Sequence, residues 1–467
     1  MSRAKKRVYN FTEGSKEQKD LLGGKGANLA EMTGIGLPVP RGFTITTEAC
    51  LEYLDSKKLL PELVKEIEEH IVKLENETGK KFADEENPLL VSVRSGSKFS
   101  MPGMMDTILN LGLNHQSVEI FARKTGNPVF AYDCYRRLIQ MFGDVVKGVD
   151  KNIFEEALTQ YKAAHGYSSD IEMKAEDWKE IIQQFTTIYL KEVGENFPQD
   201  PSKQLYAAVE AVFTSWNNPR AVTYRRIHEI SDKLGTAVNI QEMVFGNTGG
   251  NSGTGVAFTR NPATGEAGVF GEFLLNAQGE DVVAGIRTPR PIQELKQDQP
   301  AIYLQFEKIC HQLEAHYQDM QDIEFTIEEG KLFILQTRNG KRTAKAAFKI
   351  ATQMAEDGVI SKEESLKRLT PSMITQLLHP VFDEQMLAES QTIAKGLPAS
   401  PGAASGRVYF HAEDAQNAHA AGQKVILLRT ETSPEDIEGM VVSEAIVTSR
   451  GGMTSHAAVV ARGMGVC

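Results

Sequence analysis

A long stretch without strand signals separates the strand-forming parts of this chain. From about residue 115 to residue 235 apolar residues recur at helical spacing between polar turns, as in W-K-E-I-I-Q-Q-F-T-T-I-Y-L-K-E-V-G. Short segments rich in β-branched residues stand on both sides of it. This order predicts a mixed α and β fold in which a helical insertion interrupts a strand-containing domain. The predicted strands cover residues 39–47, 89–97, 237–245, 255–262 and 324–338.

The C-terminal quarter of the chain has a different character. Residues 343–395 are helical, charged and broken by prolines, which is typical of a connector rather than of a compact domain. A new unit opens near residue 396 and carries two predicted strands, residues 424–428 and 445–449. We therefore expect a separate small α/β domain in this region.

Composition excludes several classes of function. The 62 acidic residues outnumber the 51 Lys and Arg residues, and the net charge of −11 argues against broad binding of nucleic acid or anionic membranes. No run approaches the roughly 18 apolar residues of a membrane span, and the four cysteines lack metal-binding spacing. We expect a soluble, cytoplasmic protein with reduced thiols, in which a local basic pocket can still bind phosphate.

The segment Q-D-I-E-F-T-I-E-E-G-K-L-F-I-L-Q-T-R predicts a β-hairpin with alternating polar residues. On the first strand, Asp322 and Glu324 are two residues apart and share a face. On the second strand, Gln336 and Arg338 do the same. Carboxylates suit Mg²⁺ and arginine suits phosphate, so these side chains are candidates for a metal and phosphate site. A solvated hairpin face is the alternative.

The convergence of these two polar pairs depends on the turn between the strands. We predict a three-residue loop, residues 328–330, ending in a left-handed glycine. This loop would set Ile327 opposite Lys331. Glu324 and Gln336 would then lie on the same face of the hairpin.

Further features suit a polyphosphate ligand. The stretch G-N-T-G-G-N-S-G-T-G-V-A-F-T-R-N-P can turn backbone N–H groups towards an anion, although a flexible hairpin loop would have the same composition. It matches neither the dinucleotide-binding nor the Walker pattern. Lys25 stands where a helix is predicted to begin, and Arg94 ends a predicted strand. Together with the loop and the hairpin, these cations would complete a site for a nucleotide polyphosphate.

One histidine stands in an unusual setting. His456 follows a predicted strand and a glycine turn, and it falls in the first turn of a helix whose N-cap is Thr454 or Ser455. The positive end of the helix disfavours an imidazolium ion, so we expect a neutral, nucleophilic ring. A lone histidine is usually structural, but the small neighbours here leave room for a phosphoryl donor.

Several long motifs resemble the pyruvate phosphate dikinase family. They are K-G-A-N-L-A-E-M, V-S-V-R-S-G-S-K-F-S-M-P-G-M-M-D-T-I-L-N-L-G-L-N, G-V-A-F-T-R-N-P-A-T-G-E, L-N-A-Q-G-E-D-V-V-A-G and G-G-M-T-S-H-A-A-V-V-A-R-G. The resemblance spans essentially the whole chain, and the M-M-D run and the helical insertion favour this family over phosphoenolpyruvate synthase and other dikinases. It implies an ATP-grasp nucleotide-binding domain, a swivelling phosphohistidine domain and a barrel that binds pyruvate.

The resemblance also implies the division of the chain. The ATP-grasp domain would comprise residues 1–112 and 236–342, the mainly helical insertion residues 113–235, the helical linker residues 343–395, and a truncated α/β phosphohistidine domain residues 396–467. We expect this chain to be a fragment that lacks the pyruvate barrel. A monomer is therefore expected for the fragment, whereas the full-length family would form homodimers.

The resemblance assigns roles to the candidate residues. The phosphoryl acceptor would be His456, supported in catalysis by Arg338 and Arg94. The residues that bind the polyphosphate of ATP would be Lys25, Arg94 and Arg338. The Mg²⁺ site would be formed by Asp322, Glu324 and Gln336. The nucleotide pocket would be lined by Gly103, Met105, Gln241, Thr254, Gly255 and Glu280.

The implied reaction moves two phosphoryl groups of ATP. The β-phosphoryl would go to His456 and the γ-phosphoryl to inorganic phosphate, and the phosphohistidine would then phosphorylate pyruvate at the barrel. Thr454 matches the position at which plant-type members are inactivated by phosphorylation. Two alternatives stay open: a phosphoenolpyruvate-synthase-like dikinase that uses water instead of phosphate, and a non-catalytic nucleotide-binding phosphocarrier module.

Overall fold

The computed structural model divides into two compact units, with the boundary between Val244 and Phe245. Each unit has its own sheets and its own apolar core. The mixed α and β class predicted from the sequence is confirmed. The described residues are 5–82, 84, 86–99, 101, 104–283, 288–378, 382–400 and 402–467.

The first unit is built on a five-stranded antiparallel sheet. Its strands are β1 (Val8–Asn10), β2 (Gly42–Ile45), β3 (Val91–Gly96), β4 (Thr107–Leu111) and β5 (Ala237–Glu242). They lie in the order β1-β2-β5-β3-β4, so the strand that comes last in the sequence occupies the centre. The sheet is therefore complete only after the chain has passed through the helices between β4 and β5.

Helices fill the long connections of the first unit. Aromatic side chains of these helices contact one another, for example Phe154 and Phe185, whose ring centres are 5.0 Å apart. The helices are α1 (Lys19–Gly34), α2 (Thr47–Ser56), α3 (Pro61–Thr78), α4 (His115–Thr125), α5 (Pro128–Met141), α6 (Lys151–His165), α7 (Ala175–Val193), α8 (Pro201–Ser215) and α9 (Pro219–Ile227).

Glycines let α1 lie directly on this sheet. The helix kinks at Gly23 (φ +66°), where a Cβ atom would stand 1.8 Å from the carbonyl oxygen of Gly96 on β3. A Cβ atom at Gly26 would stand 2.7 Å from Thr44 Oγ1. Only glycine tolerates such approaches, so the G-G-K-G sequence is required by packing. The same approach brings Lys25 beside Gly96, since the Lys25 Cβ atom would be 3.1 Å from a Cβ at Gly96.

The second unit contains another five-stranded antiparallel sheet. Its strands are β6 (Gly253–Arg260), β7 (Ala267–Leu275), β8 (Arg290–Pro291), β9 (Gln321–Glu328) and β10 (Lys331–Asn339). Their order is β10-β9-β6-β7-β8. The sequence pattern does not reveal β7, because A-G-V-F-G-E-F-L-L contains two glycines and shows no regular alternation.

Helices that accompany this sheet include one from the segment expected to be a connector. They are α10 (Gly279–Val283), α11 (Leu295–Asp298), α12 (Pro300–Tyr317) and α13 (Ala344–Glu356). On α13, Ala346, Ile350 and Met354 are buried in a cluster with Phe258 and Met320. This helix thus contributes to the core of the second unit.

The remaining part of the second unit leads to a small parallel sheet. Short helices come first, namely α14 (Lys362–Lys367), α15 (Pro371–Leu377) and α16 (Glu384–Glu389). The sheet consists of β11 (Arg407–Tyr409), β12 (Val425–Arg429) and β13 (Ala445–Thr448) in that order, and β11 is a third strand that the sequence analysis did not predict. Its helices are α17 (Ala412–Ala420), α18 (Ile437–Val441) and α19 (His456–Met464).

The loops that follow β12 and β13 leave the same edge of the small sheet, because these strands are parallel. This edge carries His456. Among the described helices of the whole chain, none is both long and apolar enough to cross a membrane.

Candidate functional site

The β9–β10 hairpin turns more tightly than the sequence analysis predicts. Its loop is the two residues Glu329 and Gly330, with φ of +47° and +75°, as in a type I′ turn. Lys331 therefore pairs with Glu328 and not with Ile327, so the predicted three-residue loop is wrong. Gly330 has the left-handed backbone that was predicted, but Glu329 before it is left-handed as well.

A β-bulge nevertheless produces the predicted convergence. The register shifts by one residue between Ile334 and Gln336. Beyond the bulge, Gln336 lies opposite Glu324. The next polar pair is Arg338 opposite Asp322. The four polar side chains share one face because the bulge offsets the register of the tight turn.

These four side chains, here called the hairpin cluster, are joined by hydrogen bonds. Arg338 Nε donates to Asp322 Oδ2 at 2.7 Å, and Arg338 Nη2 lies 3.6 Å from Glu324 Oε1. Gln336 Nε2 donates to the same Glu324 oxygen at 3.0 Å. The Asp322 side chain is 3% exposed and the Arg338 side chain 27%. The guanidinium thus neutralises a buried carboxylate while it stays accessible to a ligand.

Burial and ion pairing affect the pKa values of the hairpin cluster in opposite directions. Burial raises the pKa of Asp322 above its ordinary value, although Arg338 opposes the rise. Burial also disfavours the charged form of Arg338, but Asp322 and Glu324 outweigh this effect and raise the pKa of Arg338. The site therefore keeps a fixed positive charge beside a carboxylate that burial destabilises.

The oxygen atoms of the hairpin cluster fit a divalent cation. Asp322 Oδ1 is buried and has no hydrogen-bond partner in the described parts of the chain, which is costly unless a ligand uses the atom. The carboxylates and the Gln336 amide oxygen form the hard donor set that Mg²⁺ prefers. Within the described part of the chain, no group of three or more acidic, histidine or cysteine side chains is arranged to bind a metal. A cation here would keep water or phosphate oxygens as further ligands.

The glycine-rich loop before β6 is tied to the tip of the hairpin. Ser252 Oγ accepts a hydrogen bond from Glu329 N at 2.9 Å, and Asn251 O accepts one from Gly330 N at 3.0 Å. The hydroxyls of Thr248 and Ser252 lie 2.5 Å apart. The loop is therefore anchored at one end to the hairpin that carries the cluster.

Some residues predicted to line the nucleotide pocket have roles in packing. Thr254 is buried on β6, and its hydroxyl donates to the carbonyl oxygen of Phe325 at 3.1 Å. A Cβ atom at Gly255 would stand 2.6 Å from the Phe325 ring, so this strand needs glycine there. Gly103 lies outside the described residues. Glu280 lies in α10, and its side chain is outside the described part of the structure.

The other predicted site residues lie in the first unit. Lys25 lies within α1, two residues after the kink at Gly23, whereas the sequence analysis predicts that a helix begins there and the structure begins α1 at Lys19. Arg94 lies within β3 and not at its end, because the strand continues to Gly96. Gln241 is buried on β5, where its amide donates to Pro40 O at 3.2 Å. Met105 is half-buried just before β4.

His456 is the first residue of α19, as the sequence predicts. Ser455 is the N-cap, and its hydroxyl accepts a hydrogen bond from Ala458 N. Nδ1 of His456 lies 3.0 Å from Thr432 Oγ1 in the loop after β12. Nε2 is buried and has no hydrogen-bond partner among the described residues. The two ring nitrogens thus have different surroundings.

The His456 ring is neutral at pH 7. Burial lowers its pKa from 6.5 to about 4, although Asp436 and Glu435 oppose the shift. The positive end of α19 acts in the same direction as burial. The neutral ring expected from the sequence is therefore supported, with burial as the larger cause. A neutral imidazole has a free lone pair and can act as a nucleophile.

Glu272 of β7 holds the loop that precedes α19. Its carboxylate accepts hydrogen bonds from Met453 N at 3.1 Å, from Thr454 Oγ1 at 2.9 Å and from Thr454 N at 3.4 Å. A Cβ atom at Gly452 would stand 2.3 Å from both carboxylate oxygens. The contact therefore requires glycine at this position.

Arg462 ties α19 to the same sheet. Its guanidinium is buried, lies 5.5 Å from the centre of the Phe258 ring and donates to the carbonyl oxygen of Met453. Burial lowers the pKa of Arg462 to about 10, whereas Asp322 and Glu272 oppose the shift. The electrostatic effect of Asp322 on Arg462 links the histidine helix to the hairpin cluster.

Thr432, Glu272 and Arg462 were missed by the sequence analysis. Thr432 precedes an S-P-E-D capping box, a signal that could have drawn attention to this loop. Glu272 lies on a strand that the sequence pattern does not reveal. Arg462 looks like an ordinary basic residue in the last turn of a helix.

Comparisons with known proteins agree on the family. The family model "Pyruvate phosphate dikinase, AMP/ATP-binding domain" matches residues 19–65, 59–306 and 292–358. The model "PEP-utilising enzyme, mobile domain" matches residues 421–467. The second match includes β12, β13 and α19.

Curated relatives give the same result. The pyruvate, phosphate dikinase of Clostridium symbiosum is 59% identical over 462 residues, which are 98% of this chain and 53% of that protein. The enzyme of Rhizobium meliloti (strain 1021) is 56% identical over 98% of this chain and 53% of its own length. The chloroplastic pyruvate, phosphate dikinase 1 of Arabidopsis thaliana is 55% identical over 99% of this chain and 49% of its own length.

The chain thus spans about half the length of the curated relatives it matches. The AMP/ATP-binding family model covers well over half of the chain. The motif that contains His456 lies in the part that matches the mobile domain. The chain therefore belongs to the pyruvate phosphate dikinase family.

Proposed function

We propose that this chain carries out the ATP half-reaction of a pyruvate phosphate dikinase. The β-phosphoryl group of ATP is transferred to His456 and the γ-phosphoryl group to inorganic phosphate, so that AMP and pyrophosphate leave. The phosphohistidine then transfers its phosphoryl group to pyruvate at a barrel domain, which is not assigned to any part of this chain. The observation that carries this proposal is the neutral, helix-capped His456 with an unbonded Nε2.

The domain assignment in this proposal follows the sequence analysis. Residues 1–112 and 236–342 form an ATP-grasp domain around the helical insertion 113–235. Residues 343–395 link it to the swivelling phosphohistidine domain, residues 396–467. Support comes from the two family models, which match an AMP/ATP-binding part and a mobile part.

The hairpin cluster is proposed to receive the polyphosphate end of ATP. Arg338 offers an accessible, permanently charged guanidinium. The family resemblance adds Lys25 and Arg94 to the residues that bind the polyphosphate. Mg²⁺ held by Asp322, Glu324 and Gln336 would neutralise phosphate oxygens when bound. The remaining nucleotide contacts are assigned to Gly103, Met105, Gln241, Thr254, Gly255 and Glu280.

Thr454 is proposed as a regulatory phosphorylation site. Its hydroxyl donates a hydrogen bond to Glu272, so a phosphate group there would place two negatively charged groups in contact. The loop before α19 would then leave β7. Phosphorylation would thus act on the position of His456 without touching the ring.

The proposed setting is a cytoplasmic one, with ATP and inorganic phosphate as the ligands of this chain. It includes no nucleic-acid or membrane partner, in line with the net charge of −11. We assign a monomer to this chain and a homodimer to the full-length protein.

The experiment that tests the reaction follows two labels. With ATP labelled at the β-phosphorus, Mg²⁺ and inorganic phosphate, the protein should acquire one acid-labile phosphoryl group. His456→Ala should abolish this labelling and leave ATP binding unchanged. His419→Ala is the matched control, because His419 is an exposed histidine of the same small α/β fold.

ATP labelled at the γ-phosphorus separates the alternatives. The proposal predicts that the label appears in pyrophosphate and only when inorganic phosphate is supplied. Label in orthophosphate would favour the enzyme that uses water. A third outcome is that ATP binds but neither label is transferred, even when a barrel chain from a relative is added. This outcome would contradict both enzymatic hypotheses and favour the non-catalytic module.

A further inference from the structure

The loop after β12 contacts the His456 ring. Thr432 is buried, and its Oγ1 lies 3.0 Å from Nδ1 of His456. Backbone hydrogen bonds join this loop to the one after β13: Ser449 N donates to Arg429 O at 3.1 Å, and Arg450 N donates to Thr430 O at 2.9 Å. The distance between the threonine and the histidine is therefore fixed by the backbone.

A capping box holds the threonine loop in place. Ser433 N donates to Asp436 Oδ2 at 2.9 Å, and the Ser433 hydroxyl contacts the same oxygen at 3.3 Å. Arg429 Nε lies 3.5 Å from Asp436 Oδ1, and Arg429 Nη1 donates to Phe410 O at 3.0 Å. These contacts connect the loop to the ends of two strands, so Thr432 is presented by a rigid support.

The two nitrogens of the ring cannot play the same part in phosphoryl transfer. A neutral imidazole carries one proton, and the nitrogen that attacks phosphorus must be the one without it. Nδ1 is hydrogen-bonded to the Thr432 hydroxyl, whereas Nε2 has no hydrogen-bond partner among the described atoms. A tautomer with the proton on Nε2 would leave a buried donor unsatisfied.

We infer that Thr432 is a positioning residue: its Oγ1 accepts the Nδ1–H of His456 and so leaves the lone pair on Nε2. This inference rests on the proposed role of His456 as phosphoryl acceptor. Thr432 acts through the histidine and contacts no substrate in this role. Its contribution is to select the tautomer and to fix the angle of the ring.

The hydrogen bond becomes stronger as the reaction proceeds. The Nε2 lone pair forms a bond to the β-phosphorus, and the bond from that phosphorus to the oxygen of AMP breaks, with its electron pair moving to that oxygen. The proton on Nδ1 stays in place, so the ring acquires a positive charge. A hydrogen bond from a charged donor is about twice as strong as a neutral one, so Thr432 favours the product ring. No general base is needed, because the attacking nitrogen carries no proton.

Nitrogen-15 NMR of the unphosphorylated protein tests the tautomer directly. With all histidines labelled, the His456 signals are identified as those lost in His456→Gln. The expected result at pH 7 is a protonated Nδ1 in the wild type and in Thr432→Ser, and a change in the tautomer ratio in Thr432→Val. Protonated Nε2 in the wild type, or an unchanged ratio in Thr432→Val, would overturn the inference.

Labelling kinetics supply the functional part of the test. Thr432→Val should slow phosphorylation of His456 roughly 10- to 100-fold, the loss expected for one hydrogen bond to a charged group, at unchanged ATP affinity. Thr432→Ser should stay within about threefold of the wild type, because it keeps the hydroxyl. Thr430→Val is the matched control, since Thr430 belongs to the same loop but is exposed.

The outcomes separate this inference from the proposed function. If the wild type shows the expected tautomer but His456 never acquires label, the proposed function fails and the tautomer assignment stands. If His456 is labelled at the same rate in Thr432→Val and in the wild type, the positioning role is refuted and the proposed function stands.

Discussion

The hairpin cluster and the His456 site are both buried in the second unit, yet the cluster holds an ion pair and the other site holds a neutral ring. In the cluster, Arg338 compensates the carboxylates of Asp322 and Glu324 across a pair of strands. At the other site the ring has the neutral hydroxyl of Thr432 as its hydrogen-bond partner among the described residues, and the charges of Asp436 and Glu435 only partly offset the effect of burial. Burial favours the uncharged form in both places.

The difference matches what the proposed function requires of the two sites. The site proposed for the polyphosphate must offer a charge that does not titrate, and an arginine between two carboxylates does so. A phosphoryl acceptor must offer a lone pair, and burial of His456, which keeps the ring neutral, provides one. Burial therefore favours neutral groups at both sites, and the ion pair with Arg338 is what keeps charge in the hairpin cluster.

The largest expected effect comes from removing the compensating charge of the cluster. Arg338→Ala leaves Asp322 buried without its partner, which should reduce the free energy of unfolding of the second unit by about 3 kcal/mol. Hydrogen exchange of the β9–β10 peptides measures this loss, because both tryptophans, Trp178 and Trp216, lie in the first unit.

Two variants control the Arg338→Ala measurement. The double variant Arg338→Ala/Asp322→Asn should recover much of the loss, since no uncompensated charge stays buried. Lys349→Ala breaks an exposed ion pair with Glu266 in the same unit and should cost less than about 0.5 kcal/mol. A cost for Arg338→Ala no larger than that of Lys349→Ala would contradict the compensation argument.

Lowering the pH should destabilise the His456 site. Its pKa is about 4 in the folded chain and 6.5 ordinarily, so the unfolded chain takes up the proton first. The stabilising contribution is complete above pH 6.5 and is lost as the pH falls towards 4. We expect a loss of roughly 2 kcal/mol between pH 7 and pH 4.5, measured by hydrogen exchange of α19.

The pH dependence of Asp322 should have the opposite sign. Because its pKa is raised in the folded chain, its contribution is full at the lowest pH and is lost as the pH rises through the folded pKa. The variant His456→Gln should remove the acid-induced loss at α19 and leave the dependence of the β9–β10 peptides unchanged. An unchanged slope at α19 in His456→Gln would show that another group titrates there.

A smaller effect is expected at the contact between Glu272 and the histidine loop. Glu272→Ala removes the acceptor used by Met453 and Thr454, so the amide exchange of these two residues should accelerate roughly 5- to 30-fold. Glu266→Ala, which removes a surface carboxylate near Lys349, is the matched control. Thr454→Glu should reproduce the effect of Glu272→Ala. Unchanged exchange in both variants would exclude this contact as the one that holds the loop.

The smallest predicted effect is at the hairpin turn. Glu329 has a left-handed backbone, with φ of +47°, which asparagine adopts more readily than glutamate. Glu329→Asn should therefore stabilise the hairpin by about 0.5 to 1 kcal/mol, whereas Glu329→Ala should not. Urea unfolding followed by circular dichroism compares the two, and equal stability of both variants would show that the turn stores no strain.

The sequence indicated the polar residues of the hairpin and the position of His456, but neither the register of the hairpin nor the partners of the histidine. The alternation of Asp322 and Glu324 and the position of His456 follow from local periodicity, which a single sequence records well. The bulge near Gln336 does not, because it depends on which register lets the sheet bury its apolar face. The predicted turn was wrong and the bulge was not predicted, but the two errors cancel, and the four polar side chains share one face as expected.

Contacts between distant segments were the least predictable. Glu272 is hydrogen-bonded to Thr454, which lies 182 residues further along the chain. Glu272 itself lies on β7, a strand whose sequence pattern is irregular. Thr432 contacts His456 because the parallel strands β12 and β13 end at the same edge of the sheet. No local sequence motif indicates that these two strands are neighbours. Strand order is set by packing of the whole unit, so sequence periodicity carries little information on it.

The most direct test of the account locates the phosphoryl group. After incubation with ATP, Mg²⁺ and inorganic phosphate, peptide mapping at alkaline pH and phosphorus-31 NMR should find one acid-labile phosphoryl group, on Nε2 of His456. Phosphate on Nδ1, phosphate on another residue, or conversion of ATP to AMP by His456→Ala at the wild-type rate would contradict the account.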